Sequence, residues 1–348
     1  MSKDATHINK SINPAFYKTR KRQKTINTQE LATAIAQGDI TALSQGITLI
    51  ESTVQSHQDK GQQLIEACLS KANKSVRIGI TGVPGVGKST FIETFGNYLT
   101  SQGHKVAVLA VDPTSSVSHG SILGDKTRMY ELAQNPKAYI RPSASGKSLG
   151  GVARKTREAI ILCEAAGYDV IIIETVGVGQ SETIVHSMVD FFLLLKLAGA
   201  GDELQGIKRG IIEMADAIVI NKADGGNTKA AKLAKTAFAK ALHLFPPKPS
   251  NWTPKVTTCS ALENTGIEEV WKLISDYTAT TKNSTYFETK RAEQNKFWLL
   301  QTIENKLKDA FYANDKVVGK LDGVLSKVAQ GEVSPFIAAQ QLLKLASE

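Results

Sequence analysis

Cysteine is scarce in this chain, and Cys68, Cys163 and Cys259 stand too far apart to form any Cys-x-x-Cys pair. That spacing excludes a disulfide framework and a zinc site, and leaves the three as small core residues of a reducing compartment. Histidine does not cluster either: His7, His57, His104, His119, His186 and His243 occur singly, so no metal-delivery segment is visible. Long apolar runs are missing. The longest, residues 191–197, is interrupted by Lys196 and falls far short of a bilayer span. Residues 1–7 lack the apolar core of a signal peptide and carry Asp4, so a cytoplasmic location is expected. Internal repeats and low-complexity tracts are absent. The net charge of +9 is spread over the whole chain. Its one cluster, residues 18–24, has no aromatic interleaving, so residues 1–27 read as a mobile basic arm and no nucleic-acid partner is expected.

What is present is an ordinary globular composition, 42% hydrophobic and 22% charged over 348 residues. Within it, residues 78–90 stand out. An apolar run enters Gly82-Val83-Pro84-Gly85-Val86-Gly87-Lys88-Ser89-Thr90 and continues as a helical pattern. Glycines at 82, 85 and 87 let backbone N–H groups turn inward around phosphate oxygens, and the helix start adds its positive end. Lys88 can then bridge the terminal phosphates of a nucleotide, and Ser89 can bind magnesium (Mg2+).

Ahead of this loop, Leu31, Ile35, Ile40, Leu43, Ile47 and Ile50 recur near helical spacing, with Gly38 and Gly46 expected to break the run. Residues 28–75 therefore read as an N-terminal helical extension. From residue 76 the texture alternates. Apolar runs at 104–111, 169–173, 190–197, 217–220 and 255–258 are mostly continuous, as strands buried on both faces of a parallel sheet are. The predicted fold over 76–276 is thus α/β, a doubly wound, mostly parallel P-loop NTPase sheet with its ligand at the C-terminal strand ends. Residues 277–348 return to helix, with Phe297, Leu300, Ile303, Leu307 and Phe311 on one face, and read as a dimerisation arm, with a cap on the sheet as the alternative.

Asn221-Lys222-Ala223-Asp224 directly follows one of these runs. A carboxylate at Asp224 can accept both N1–H and N2–H of guanine, a donor pair that adenine lacks, so the expected nucleotide is GTP or GDP. Asn221 would brace the loop and contact the base, Lys222 would lie along its face, and backbone N–H groups of Ser260-Ala261-Leu262 would hold O6. Asp112, Asp125 and Glu174 fall at or just beyond strand ends beside the loop. Phosphoryl transfer to water needs charge neutralisation and a positioned water, which Ser89 and these three carboxylates around a metal ion can supply.

These segments, together with Val111-Asp-Pro-Thr-Ser115, Ile122-Leu-Gly-Asp-Lys-Thr-Arg-Met129, Glu174-Thr-Val-Gly-Val-Gly-Gln-Ser-Glu182 and Gly201-Asp-Glu-Leu-Gln-Gly-Ile-Lys-Arg-Gly210, resemble the MeaB/ArgK group of GTPases. The resemblance implies a homodimeric GTPase of the SIMIBI class. It implies a chaperone of adenosylcobalamin-dependent methylmalonyl-CoA mutase that gates cofactor delivery and protects or reactivates the mutase. It also implies that Lys88, Asp112, Asp125 and Glu174 carry the GTPase site, and that Lys208 lies in a mobile switch segment answering to the partner. Ala198 stands where the group's proline is expected. Competing readings are a chaperone of another acyl-CoA mutase, a nickel-type metal-insertion GTPase, a module that holds GTP without turnover, and an ATP-dependent transport-protein kinase.

Overall fold

A computed structural model describes residues 27–72, 75–111, 129–142, 149–175, 181–199 and 209–347. The expectations for residues 1–26, Asp112, Asp125, the switch segment and Lys208 lie outside these residues.

Seven strands form one sheet: β1 Val76–Gly82, β2 Val106–Val111, β3 Ala138–Arg141, β4 Val170–Thr175, β5 Phe191–Leu197, β6 Ala217–Asn221 and β7 Lys255–Thr258. Their order is β3-β2-β4-β1-β5-β6-β7 and every pairing is parallel. The continuous apolar runs follow from burial on both faces. In β4, Ile171 and Ile173 join one core while Val170 and Ile172 join the other. The first core also takes Leu43, Ile47 and Leu64 from the helices Ile40–Glu51 and Gln55–Leu69, so the N-terminal helices are a layer of the sheet domain. On the opposite face, Phe91, Phe95 and Leu99 of the helix Lys88–Ser101 pack with Ile274 and Tyr277 of the helix Ile267–Asn283.

Several expectations need correction. The strand β3 was not anticipated, because a four-residue edge strand with two half-buried residues carries no long apolar run. Residues 104 and 105 precede β2, and His104 Nδ1 lies 2.7 Å from Asp169 Oδ2. Gly38 does separate two helices, with φ +84°, but Gly46 lies inside the helix Ile40–Glu51. A Cβ there would come within 3.0 Å of Ile35 and 3.1 Å of Leu64, so its role is close helix packing. The boundary at 276/277 falls within the helix Ile267–Asn283, and the chain instead breaks at Thr285, φ 59°, before the helix Tyr286–Ala313.

That last helix docks through Phe287, Arg291, Gln294 and Trp298 and buries nothing beyond Trp298. Leu300 and Leu307 are 60% and 67% exposed, Phe297 and Ile303 are also exposed, and Phe311 is half-buried. The helices Asp315–Ala329 and Pro335–Ser347 follow, with only Val317, Ala338 and Leu342 buried.

Candidate functional site

The loop after β1 sits at the centre of the sheet's C-terminal edge, where strand order reverses direction. Gly82 is required by proximity: a Cβ there would meet Leu195 O at 2.7 Å. Gly87, the N-cap of the helix Lys88–Ser101, has φ +90°, and a Cβ would meet Asn221 Nδ2 at 2.9 Å. These two glycines fix how closely the loop approaches β5 and the end of β6.

Lys88 is buried, and its ammonium donates to Gly82 O at 2.8 Å and Val83 O at 3.4 Å. Burial pushes its pKa down from the usual lysine value, while the charges of Glu174 and Glu182 push it back up. The cation thus sits within electrostatic reach of two carboxylates. Glu174 is the half-buried penultimate residue of β4, paired in register with Ile80 of β1. Beside it Thr175 donates its hydroxyl to Thr81 at 2.8 Å, tying the two strand ends together. Ser89, half-buried in the first helical turn, has no hydrogen-bond partner for its hydroxyl among the described residues, while Thr90 is exposed. Val83, Pro84 and Gly85 are exposed on the loop, whereas Val86 is buried.

The second cluster comes from the ends of β6 and β7. Asn221 is buried and donates to Val86 O at 2.9 Å, and its Oδ1 accepts from Ala261 N–H at 3.3 Å and from Cys259 Sγ at 3.4 Å. Lys222, in the left-handed region at φ 57°, donates to Gly85 O at 2.9 Å, so its ammonium lies on the loop and only its stem is free to flank a ring. Asp224 is half-buried and accepts a hydrogen bond from the Ser260 hydroxyl, whose oxygen in turn accepts from Glu263 N–H at 3.0 Å. Ser260 and Ala261 are buried and Leu262 is exposed. Thr94 of the phosphate-loop helix donates to Ala261 O at 2.8 Å, which joins the two clusters from the other side.

The structure therefore gathers the loop, Lys88, Ser89, Glu174, Asn221, Lys222, Asp224 and residues 260–262 at one edge of the sheet. Glu182, Thr94, Thr81 and Thr175 were assigned no role from sequence. Glu182 lay inside a quoted motif, and its proximity to Lys88 depends on how the helix Ser181–His186 returns over β4 and β1. No helix among the described residues is long and apolar enough to cross a membrane.

The family model for the methylmalonyl Co-A mutase-associated GTPase MeaB matches residues 43–316. A probable GTPase of Mycobacterium tuberculosis is 48% identical over 317 residues, covering 91% of this chain and 94% of that protein. The mitochondrial methylmalonic aciduria type A homolog of Mus musculus is 44% identical over 324 residues, covering 90% and 78%. A crystal structure of an LAO/AO transport system kinase superposes with TM-score 0.74 at 39% identity, covering 93% of this chain and 99% of the other. This chain belongs to the MeaB family of P-loop GTPases.

Proposed function

We propose that this protein hydrolyses GTP as a chaperone of an adenosylcobalamin-dependent methylmalonyl-CoA mutase, gating delivery of the cofactor and protecting or reactivating the mutase. The observation that carries the GTPase part is the joint between the phosphate loop and the guanine-type motif. Asn221 and Lys222 hold Val86 O and Gly85 O, so base and phosphate ends of one nucleotide are gripped by a single braced unit. The mutase part rests on the description of the matching family and on the mouse relative's name.

In this reading the Lys88 ammonium leaves the carbonyls of Gly82 and Val83 for terminal phosphate oxygens, where charge accumulates during transfer. The oriented carboxylate of Asp224 accepts the guanine N–H pair. Magnesium takes oxygen donors, and the uncommitted Ser89 hydroxyl fits that requirement, with Glu174 as a second donor and Asp112 and Asp125 as candidates outside the described residues. Among the described residues no group of three or more His, Cys, Asp or Glu side chains could hold a metal alone, so phosphate and water would complete the shell. When bound, the ion neutralises charge on the leaving phosphates. The exposed stripe of Leu300, Ile303 and Leu307 supports a homodimer, with a second copy covering it.

Turnover tests the reading. Phosphate release should be slow for the protein alone and rise severalfold with saturating methylmalonyl-CoA mutase. Lys208→Ala should lose that rise if the switch segment answers to the client. Absence of stimulation by this mutase, with another acyl-CoA mutase active, would reassign the client.

A further inference from the structure

A cleft of about 970 Å³ lies away from the nucleotide loop. It lies at the opposite edge of the sheet. Its lining includes Asp216, which precedes β6, Trp252, just before β7, and residues from the helices Ser181–His186, Arg209–Met214 and Tyr286–Ala313. The volume is at the upper end of what small-molecule sites occupy, about 300–1,000 Å³.

One wall is apolar: Phe245, Pro246, Pro247 and Trp252. Trp252, which lines the cleft, is fixed by its indole N–H donating to Asp216 O at 2.9 Å, by Tyr277 packed edge-on and by the Lys255 ammonium over its ring. The lining also carries polar groups, among them Tyr286, Lys290 and His186. Tyr286 and Lys290 stand four residues apart on one helix and so project from one face, and His186 comes from the helix Ser181–His186. Among the described residues neither the Tyr286 hydroxyl nor the His186 ring nitrogens have a hydrogen-bond partner. Lys290 donates to Asp190 O at 2.7 Å and has no carboxylate within 4 Å.

Of the acids in the lining, Glu213 is exposed to solvent and Asp216 is already committed. Asp216 accepts from Lys248 at 2.7 Å through Oδ1 and from Phe192 N–H at 2.9 Å through Oδ2, and Lys248 spends further donors on Met214 O and Ala215 O. Asp190 is held by Arg291 at 2.7 Å and by Arg77 N–H at 2.8 Å. A cation with no carboxylate within 4 Å, two unpartnered donors and an aromatic surface in one cleft make a cradle for an anion with an apolar body.

We propose that this cleft binds a small amphipathic carboxylic acid, aromatic or medium-chain aliphatic, with its carboxylate on Lys290, Tyr286 and His186 and its body against Trp252 and Phe245. Burial supports the assignment: it holds Lys290 below the usual lysine range, with Asp216 and Asp190 opposing, a cost that a bound anion relieves. The His186 ring, kept neutral chiefly by burial, with Lys290 and Lys248 acting in the same direction and Asp216 against, can still donate one N–H. The site is separate from the nucleotide, which belongs at the other ends of the same strands.

The full-length protein with GDP would be titrated calorimetrically with hexanoate, octanoate and phenylacetate, and with hexanamide and phenylacetamide as neutral counterparts. The expected result is one site per chain, octanoate about tenfold tighter than hexanoate for its two added methylenes, and each amide at least tenfold weaker than its acid. Octanoate should shift the His186 imidazole resonances and change Trp252 fluorescence. Lys290→Met should lose at least tenfold for the acids and little for the amides. Tyr286→Phe, which removes a single oxygen, should weaken the acids severalfold. Leu300→Glu on the exposed arm should leave binding unchanged. Non-saturable binding, acids no tighter than amides, or binding that follows the Leu300→Glu change would overturn the site.

Discussion

Around β1, the two edges of this sheet hold their charged side chains in opposite ways. At the C-terminal edge the charged groups rest on backbone carbonyls: Lys88 on Gly82 and Val83, Lys222 on Gly85. At the N-terminal edge the arginines are locked to carboxylates, while Lys290 in the neighbouring cleft rests on Asp190 O. Arg77 pairs with Glu164 at 2.9 Å, Arg291 pairs with Asp190 at 2.7 Å and reaches Ser75 O at 2.7 Å, and all four residues are buried or nearly so. A carbonyl is a weak, neutral partner that a phosphate can displace, whereas a buried carboxylate is not readily exchanged. The phosphate loop at the first edge is built to trade partners, and the buried arginine pairs at the second are built to keep them.

Removing Lys88 should break the first edge functionally and not structurally. Lys88→Ala should lower GTP turnover by about a thousandfold, the upper range for losing one transition-state donor, with little change in melting temperature. Phosphate release and thermal scans read both. Undiminished turnover, or a large fall in melting temperature, would erase the contrast.

The reverse is expected for Arg291→Met. It strands Asp190 in the interior and should destabilise the fold by about 3–5 kcal/mol, read from the denaturant midpoint, while the folded fraction hydrolyses GTP at the wild-type rate. Asp190 is also kept ionised: hydrogen bonding and charge from Arg291, with Arg77, outweigh burial and hold its carboxyl below the usual range.

His186 sharpens the comparison through pH. Burial, with Lys290 and Lys248 adding to it, lowers its pKa from 6.5 to about 4. Between those values the unfolded chain binds a proton that the folded chain does not, so stability should rise with pH across that window and level off above it. The span of the effect is at most about 3 kcal/mol. His186→Gln should flatten the curve, as followed by denaturation at several pH values.

The smallest effect concerns the base. Asp224→Asn should reduce the preference for guanine nucleotides by about 1–3 kcal/mol and favour xanthine nucleotides, because an amide cannot accept two N–H donors as a carboxylate does. Competition binding with GDP, ADP and XDP measures it. An unchanged order of affinities would detach Asp224 from the base and leave it as Ser260's partner alone.

The legible parts of this molecule are those whose physics is local. A loop that needs left-handed backbone shows its glycines, and strands buried on both faces show unbroken apolar runs, as in Val170–Thr175 and Phe191–Leu197. The parts not read depend on distant partners. Arg77 and Glu164 are 87 positions apart, and Arg291 and Asp190 are 101 apart, so nothing in either neighbourhood announces the pair. Gly46 looked like a breaker because its reason, the side chains of Ile35, Leu64 and Leu162, arrives from other helices. The boundary near 276 missed the turn at Thr285 because the apolar pattern runs on through Tyr277 and Thr281, both buried. The cleft beneath Trp252 is assembled from separate segments, and the motifs that end at Glu182 and Gly210 give no sign of it.

The hydrogen bond from Asn221 to Val86 O joins positions 135 residues apart. A ribosome adding about 5–20 residues per second needs on the order of ten seconds to bridge that interval. For that time the emerging chain carries a glycine-rich loop without the strand that shapes it. Nucleotide therefore cannot be gripped at both ends until β6 has left the exit tunnel, and ribosome-bound chains halted before that point should fail to retain GDP while those halted well after it succeed.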